Sequence, residues 1–414
     1  MLKNTKINSI NSNNDVWLKA AVVGGLWASL EIIIGSFLHN TRLPMAGTTL
    51  AFAGTVLLLG YYKIWPQRGL IIRAGLITAI MKSVSPSAVI LGPMTGIMLE
   101  AVLIEFVILI IGNNLGGYII AGILSISSAL FHKIVSLLIF YGFDLIKVYL
   151  NILNFALKQL NISETNPKEV FVILLLVYIV LGTLSAIVGS YIGKKAIALK
   201  STSNSFILDK DIKERDDFFQ ISKDQRTSIP MLIIHLLAIP FGLVLLNFHE
   251  TILGLSFIGT YIFIFGFIYR YALRRLRKPI FWTQLVLIVV LSALFWDIAD
   301  NTKSNWFNIE GLYVGIEMVI RALFIVVAFS AISVELKNEK VRSFLVRVGF
   351  GKYYQAIGLA FSALPIMISL LPTSKQIIAS PIKSMLLPLT MADQWLELFK
   401  EKEKQNGDSD KTTP

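Results

Sequence analysis

The chain has 414 residues, 55% of them hydrophobic and 15% charged, with a mean hydropathy of +0.69. Soluble domains carry about 25% charged residues, so a water-soluble enzyme, a fibre and a disordered chain are all excluded, and runs of about 20 apolar residues, each long enough to cross a hydrocarbon core, recur throughout. The net charge of +12 sits mostly in short connections between those runs, which argues against nucleic acid as a partner, and the absence of cysteine excludes disulfides, thiolate chemistry and Cys-based metal sites.

Six spans are read in the first half, at about Ala20–Leu38, Met45–Tyr62, Gly69–Met81, Ala88–Ile111, Gly117–Tyr141 and Val170–Ile192. The first follows a polar, Asn-rich start and shows no cleavage site, so it reads as a retained span and not a signal peptide. The third is short and is followed by Ser-Val-Ser-Pro-Ser, the pattern of a broken or re-entrant helix. Asp144–Leu160 has charges at intervals among apolar residues, which suits a helix lying in the membrane interface. A polar segment, Lys194–Thr227, with eight basic and six acidic residues, then divides the chain. Four further spans follow, at about Ile229–Phe248, Thr251–Tyr269, Phe281–Ile298 and Gly311–Val334.

The expectation is therefore an all-α polytopic membrane protein. A six-span helical bundle occupies residues 1–193, a cytoplasmic linker 194–228, and a four- or five-span helical domain with cytoplasmic coupling helices 229–400. Residues 401–414 have no aliphatic side chain and are expected to be a disordered tail. Lys3, Lys6, Lys63, Arg68, Lys194, Lys195 and Lys200 fall on one side, with the dense cluster Arg270, Arg274, Arg275, Arg277 and Lys278. That bias places both termini and the linker in the cytoplasm, and the short loops suit a bacterial cytoplasmic (inner) membrane.

An ionisable group at mid-bilayer costs at least about 2.5 kcal/mol on the insertion scale, so each one needs an explanation. The first half has Glu31, Glu100, Glu105, His132 and Lys133 in or beside its spans. Glu100 and Glu105 are five residues apart, about 140° around a helix, and so point to different surroundings. Two readings stay open. Glu100, His132 and Lys133 form a substrate pocket on the outer side, with His39, Asn40, Arg42 and Ser83 at its mouth; or a buried Glu–Lys pair locks helix packing without any ligand. No spacing suggests a metal site. An intramembrane enzyme acting on lipids would have only His132 and Glu100 to rest on, so the chain is read as a non-enzyme.

Small residues recur on the first span as Ala20-x-x-x-Gly24-x-x-x-Ala28, with Ala21, Gly25 and Ser29 one step over, and on the sixth as Gly182, Ala186 and Ser190. Such strips let helices approach closely, either inside a bundle or between domains. After the tenth span, Val341, Phe344, Leu345 and Val348 share one helical face while Lys337, Lys340, Arg342 and Arg347 lie elsewhere. This segment is a basic helix on an anionic leaflet or a docking helix for a cytoplasmic partner.

Six spans with a small-residue strip on the first, together with LHNTRLPMAGTTL (Leu38–Leu50) and MKSVSPSAVILGPMTG (Met81–Gly96), resemble the substrate-binding S component of energy-coupling-factor (ECF) vitamin transporters. The second half is similar to the transmembrane T component of those transporters. The supporting stretches are Met318–Met367, which runs from a span through the basic amphipathic segment into an Ala- and Pro-containing helix, and SPIKSMLLPLTMADQWLELF (Ser380–Phe399). The resemblance implies an S–T fusion that takes up a vitamin or related micronutrient. It binds no cofactor itself, is driven by ATP on two separate P-loop ATPases docking at the coupling segment, and packs the Ala20/Gly24/Ala28 strip against the second half. The family's T components insert two Arg-centred motifs into their ATPases, whereas no arginine follows Arg347 here and only lysines such as Lys375, Lys383, Lys400 and Lys402 are present. Lysine does not reproduce the bidentate guanidinium fork. No P-loop motif occurs in the chain. The alternative is a membrane scaffold or assembly protein that no longer couples to an ATPase.

Overall fold

The computed structural model describes residues 2–40, 46–84, 91–159, 167–200, 229–248, 251–273, 276–277, 279–296, 307–335, 351–370 and 380–409. The regular elements among them are all helices: α1 (Leu2–Asn40), α2 (Ala46–Ile64), α3 (Leu70–Val84), α4 (Leu91–Ile111), α5 (Leu115–Tyr141), α6 (Asp144–Gln159), α7 (Pro167–Lys200), α8 (Ile229–Phe248), α9 (Thr251–Ile268), α10 (Pro279–Phe295), α11 (Ile309–Glu335), α12 (Gly351–Leu370), α13 (Pro381–Thr390) and α14 (Ala392–Ser409). Four segments among the described residues, Gly92–Ile111, Leu115–Tyr141, Phe171–Leu199 and Ile309–Ile332, are long and apolar enough to cross a bilayer, the mark of an integral membrane protein of the all-α class. Shorter apolar helices lie at Pro230–Leu246, Ile252–Ile268, Phe281–Phe295 and Gln355–Leu364.

The chain forms two compact units whose segments alternate along it. The first comprises Met1–Phe131, Leu175–Gln220 and Phe344–Pro414, and the second His132–Leu174 and Ile221–Ser343. The first unit thus unites the early helices with α12, α13 and α14.

In the first unit α1 packs on α3, α12, α2 and α14. Its small residues permit the approach. A Cβ on Gly24 would lie 2.8 Å from the Ala74 carbonyl oxygen and 2.9 Å from Ile77 Cβ, both on α3. One on Gly25 would lie 2.8 Å from Met367 Sδ on α12. The two neighbouring strips therefore serve different helices, since one residue turns an α-helix by about 100°. Of the two glycines, Gly24 meets α3 and Gly25 meets α12. On α7, Gly182 meets α5, where its Cβ would lie 2.5 Å from Ile123 Cα, and Gly189 and Gly193 meet α2. The core is completed by Trp27, Tyr61, Trp395 and Phe399, and the Tyr61 hydroxyl donates to the Pro388 carbonyl at 2.7 Å. Asp15 pairs with Lys19 on its own helix and with Lys400 on α14 at 3.2 Å. Burial pushes the Asp15 carboxyl up, and hydrogen bonds and charge from Lys19 and Lys400 more than offset this, leaving it below its ordinary value. The α14 helix continues through Ser409, past Glu401 where composition predicts loss of order; Glu, Lys and Gln in that stretch are good helix formers.

In the second unit α11 packs on α8, α9 and α10. Rings of Phe257, Tyr261, Phe265 and Phe324 meet in edge and tilted contacts. The α6 helix docks on the end of α10. Asn151 donates to the carbonyls of Phe295 and Trp296 at 2.8 Å each, and the Lys147 ammonium sits 3.9 Å from the centre of the Trp296 ring. These bonds satisfy carbonyls that a helix end leaves open. Its remaining face, with Ile146 and Tyr149, is exposed. Gly142, at φ +81°, turns the chain from α5 into α6, a left-handed backbone conformation that favours glycine, and a Cβ there would also press on the Arg321 guanidinium.

Candidate functional site

In the first unit, buried ionisable side chains gather where α1, α3 and α4 meet. Gly24 lies beside Ala74 and Ile77, and Lys82 reaches Glu31, so α1 and α3 run parallel. Gly75 lies beside Ala101, and Glu105 beside Gly69 and Ile71, so α4 runs antiparallel to α3. This register sets the two glutamates of α4 in different environments.

Glu105, 1% exposed, is fully used. Its Oε1 accepts from the Gly69 N–H at 2.6 Å, and its Oε2 from the Ile71 and Ile72 N–H groups at 2.9 and 3.4 Å. These donors belong to the first turn of α3, whose N–H groups have no partner within the helix, and the dipole there favours an anion. Glu105 is a cap supplied by a neighbouring helix.

Glu100 is the contrary case. It is 8% exposed, and its Oε2 is buried without a hydrogen-bond partner. Glu31, 6% exposed, faces Lys82, also 6% exposed, with 3.5 Å between Lys82 Nζ and Glu31 Oε2; the same ammonium donates to the Glu31 carbonyl oxygen. Among the described residues this cluster therefore has two carboxylates and one ammonium. Trp27 is wholly buried, and its indole N–H likewise has no acceptor. A Cβ on Gly75 would meet Trp27 Cζ3 at 3.5 Å and Ala101 Cβ at 2.3 Å, so the indole and the Glu100 segment border the same point on α3. One unpaired donor and one unpaired acceptor are thus left in one layer of helices, where each unmet group is costly.

The other residues picked from sequence are distributed as follows. His132 is half-buried and Lys133 exposed, both on the later part of α5, in the second unit. His39, Asn40 and Ser83 lie in the last turns of α1 and α3, but their side chains, and all of Arg42, fall outside the described residues. The docking residues Val341, Arg342, Phe344, Leu345 and Arg347 also lie outside the described residues. Lys82 directly follows the third apolar run and in sequence reads as an ordinary flanking lysine. Its partner Glu31 is 51 positions away and is brought near only by the parallel packing of α1 and α3. No group of three or more potential metal-ligating side chains occurs among the described residues.

The second unit holds a second buried polar set, not foreseen from sequence. His235 is wholly buried, with Nδ1 2.7 Å from the Tyr261 hydroxyl and Nε2 3.1 Å from the Tyr269 hydroxyl. The Tyr269 hydroxyl donates to Glu335 Oε1 at 2.6 Å. Its oxygen then accepts from His235 Nε2–H, and Nδ1 accepts from the Tyr261 hydroxyl, which assigns the Nε2–H tautomer. Every ring nitrogen and hydroxyl in this chain of groups has a partner.

No family model, curated protein or solved structure shows significant similarity to the chain.

Proposed function

We propose that the protein is a membrane importer of the S–T type, taking up a vitamin or related polar micronutrient and driven by separate cytoplasmic P-loop ATPases. The observation that carries this reading is Glu100, an intramembrane carboxylate with an unmet oxygen beside the Glu31–Lys82 pair. Intramembrane ionisable groups without a structural partner mark substrate or ion sites. The unmet oxygen of Glu100 favours a polar ligand that completes its hydrogen bonding. In this reading six spans form the substrate half, four or five spans the coupling half, and both termini face the cytoplasm of a bacterial inner membrane. The ATPases dock on Leu336–Met367. Uptake proceeds by tilting of the substrate half within the membrane, as the resemblance implies.

One observation favours a second reading, a non-transporting scaffold: no arginine follows Arg347, where two ATPase-binding motifs belong. Affinity purification in mild detergent, with mass spectrometry of copurifying proteins and small molecules, separates the two. Near-stoichiometric P-loop ATPases and a bound small molecule that Glu100→Ala no longer retains are expected for the importer. A crosslinked preparation with neither ATPase nor small molecule overturns it.

A further inference from the structure

Between Glu250 and Asp297 the chain has five basic residues, Arg270, Arg274, Arg275, Arg277 and Lys278, and no acidic one. The import reading makes no use of them beyond orientation. Arg270 and Arg277 are exposed; residues 274, 275 and 278 lie outside the described residues. The Arg270 guanidinium lies 5.5 Å from the centre of the Phe267 ring and 4.9 Å from that of Tyr271, and its Nη2 donates to the Tyr271 hydroxyl at 2.8 Å. These contacts hold the cation in place and leave most of its five donors open. The Trp282 indole N–H donates to the Leu276 carbonyl at 2.8 Å, fixing that ring at the start of α10. Exposed Tyr and Trp beside arginines are what a chain shows at headgroup level.

From Trp282 a shallow, wide-open groove of about 390 Å³ runs along the exposed face of α10, formed by residues of that helix alone: Trp282, Thr283, Val286, Leu287 and Val290. Eight residues separate its ends, about 12 Å of helix, which is most of the roughly 15 Å of hydrocarbon in one leaflet. One arginine held by aromatic rings, a second exposed arginine seven residues on, and an apolar track of leaflet depth match the two parts of a single kind of molecule.

We propose that this site binds one anionic phospholipid, its phosphate against Arg270 and Arg277 and an acyl chain along the α10 groove. Guanidinium groups hold phosphate by paired N–H donors. A soluble anion would leave the groove uncovered, and a protein partner would have to bring acids to five basic residues while also covering an aliphatic helix face.

The test uses the full-length protein in detergent, titrated separately with dioleoylphosphatidylglycerol and dioleoylphosphatidylcholine, with bound lipid counted by native mass spectrometry. Wild type is expected to prefer the anionic lipid. Each arginine near a membrane surface contributes about five-fold, so Arg270→Gln with Arg277→Gln lowers that preference roughly 25-fold. The double Arg→Lys variant, which keeps the charge, retains most of it and controls for folding. Val286→Trp, which fills the groove, weakens both lipids alike and leaves their ratio unchanged. Equal binding of the two lipids by wild type, an unchanged ratio in the double Gln variant, no effect of Val286→Trp, or displacement of the lipid by millimolar inorganic phosphate would each overturn the proposal.

Discussion

In the second unit a histidine, two tyrosines and a glutamate buried among aromatic rings consume one another's hydrogen-bonding capacity, whereas in the first unit Lys82 is taken up by Glu31 and an oxygen of Glu100 is left unmet. Both sets lie in apolar surroundings, and both tie together helices far apart in sequence. A closed network needs nothing further and acts as a lock between α8, α9 and α11. An open one stays costly until something binds, and that cost is what a ligand would relieve. The same contrast recurs within α4, where Glu105 caps α3 with three accepted hydrogen bonds and Glu100 has an empty valence five residues away.

Substitutions sharpen this comparison, the largest effect first. Glu105→Gln replaces one acceptor by an amide that points N–H at N–H, and removes the anion from a helix N-terminus. Thermal unfolding in detergent should show a loss of about 3 kcal/mol. His235→Ala leaves the Tyr261 hydroxyl without its acceptor in the aromatic core, while Tyr269 keeps Glu335, and is expected to cost about 2 kcal/mol by the same assay, with no change in small-molecule retention. Gly142→Ala forces a side chain into a positive-φ position and against Arg321, at a cost of about 1–2 kcal/mol. The smallest effect is the Asp15 contribution. Its carboxyl titrates below its ordinary value of 3.8, so the stabilisation is complete above about that pH and is lost as pH falls through the lower folded-state value. Both Asp15 and Lys400 are partly exposed, so the effect stays under about 1 kcal/mol. Melting curves between pH 6 and about pH 3 should separate wild type from Asp15→Asn at the top of that range and bring them together at the bottom.

The all-α class was legible because lipid forces each crossing to be a run of about 20 apolar residues. The α6 segment was legible as a helix for a related reason, since its charges interrupt the apolar run at helical intervals. The small residues on α1 were also visible as a strip, but not their partners, because Gly24 and Gly25 differ by one residue and by a whole helix face. Pairings made by tertiary packing left no local trace. Lys82 reads as a flanking lysine, and His235 and Glu335 are 100 positions apart with nothing in the sequence around either that points to the other. Glu100 stood out in sequence through its burial cost alone; which of its neighbours answers it depends on the register between α3 and α4.

If Glu100 marks a binding site and is not a structural lock, the thermal midpoint of Glu100→Gln beside wild type and Glu105→Gln in the same detergent will show it. Removing a buried carboxylate that lacks a partner relieves a penalty, so the account predicts a midpoint for Glu100→Gln no lower than wild type while that of Glu105→Gln falls. A fall for Glu100→Gln as large as that for Glu105→Gln would contradict it, showing that Glu100 holds the bundle together as Glu105 does.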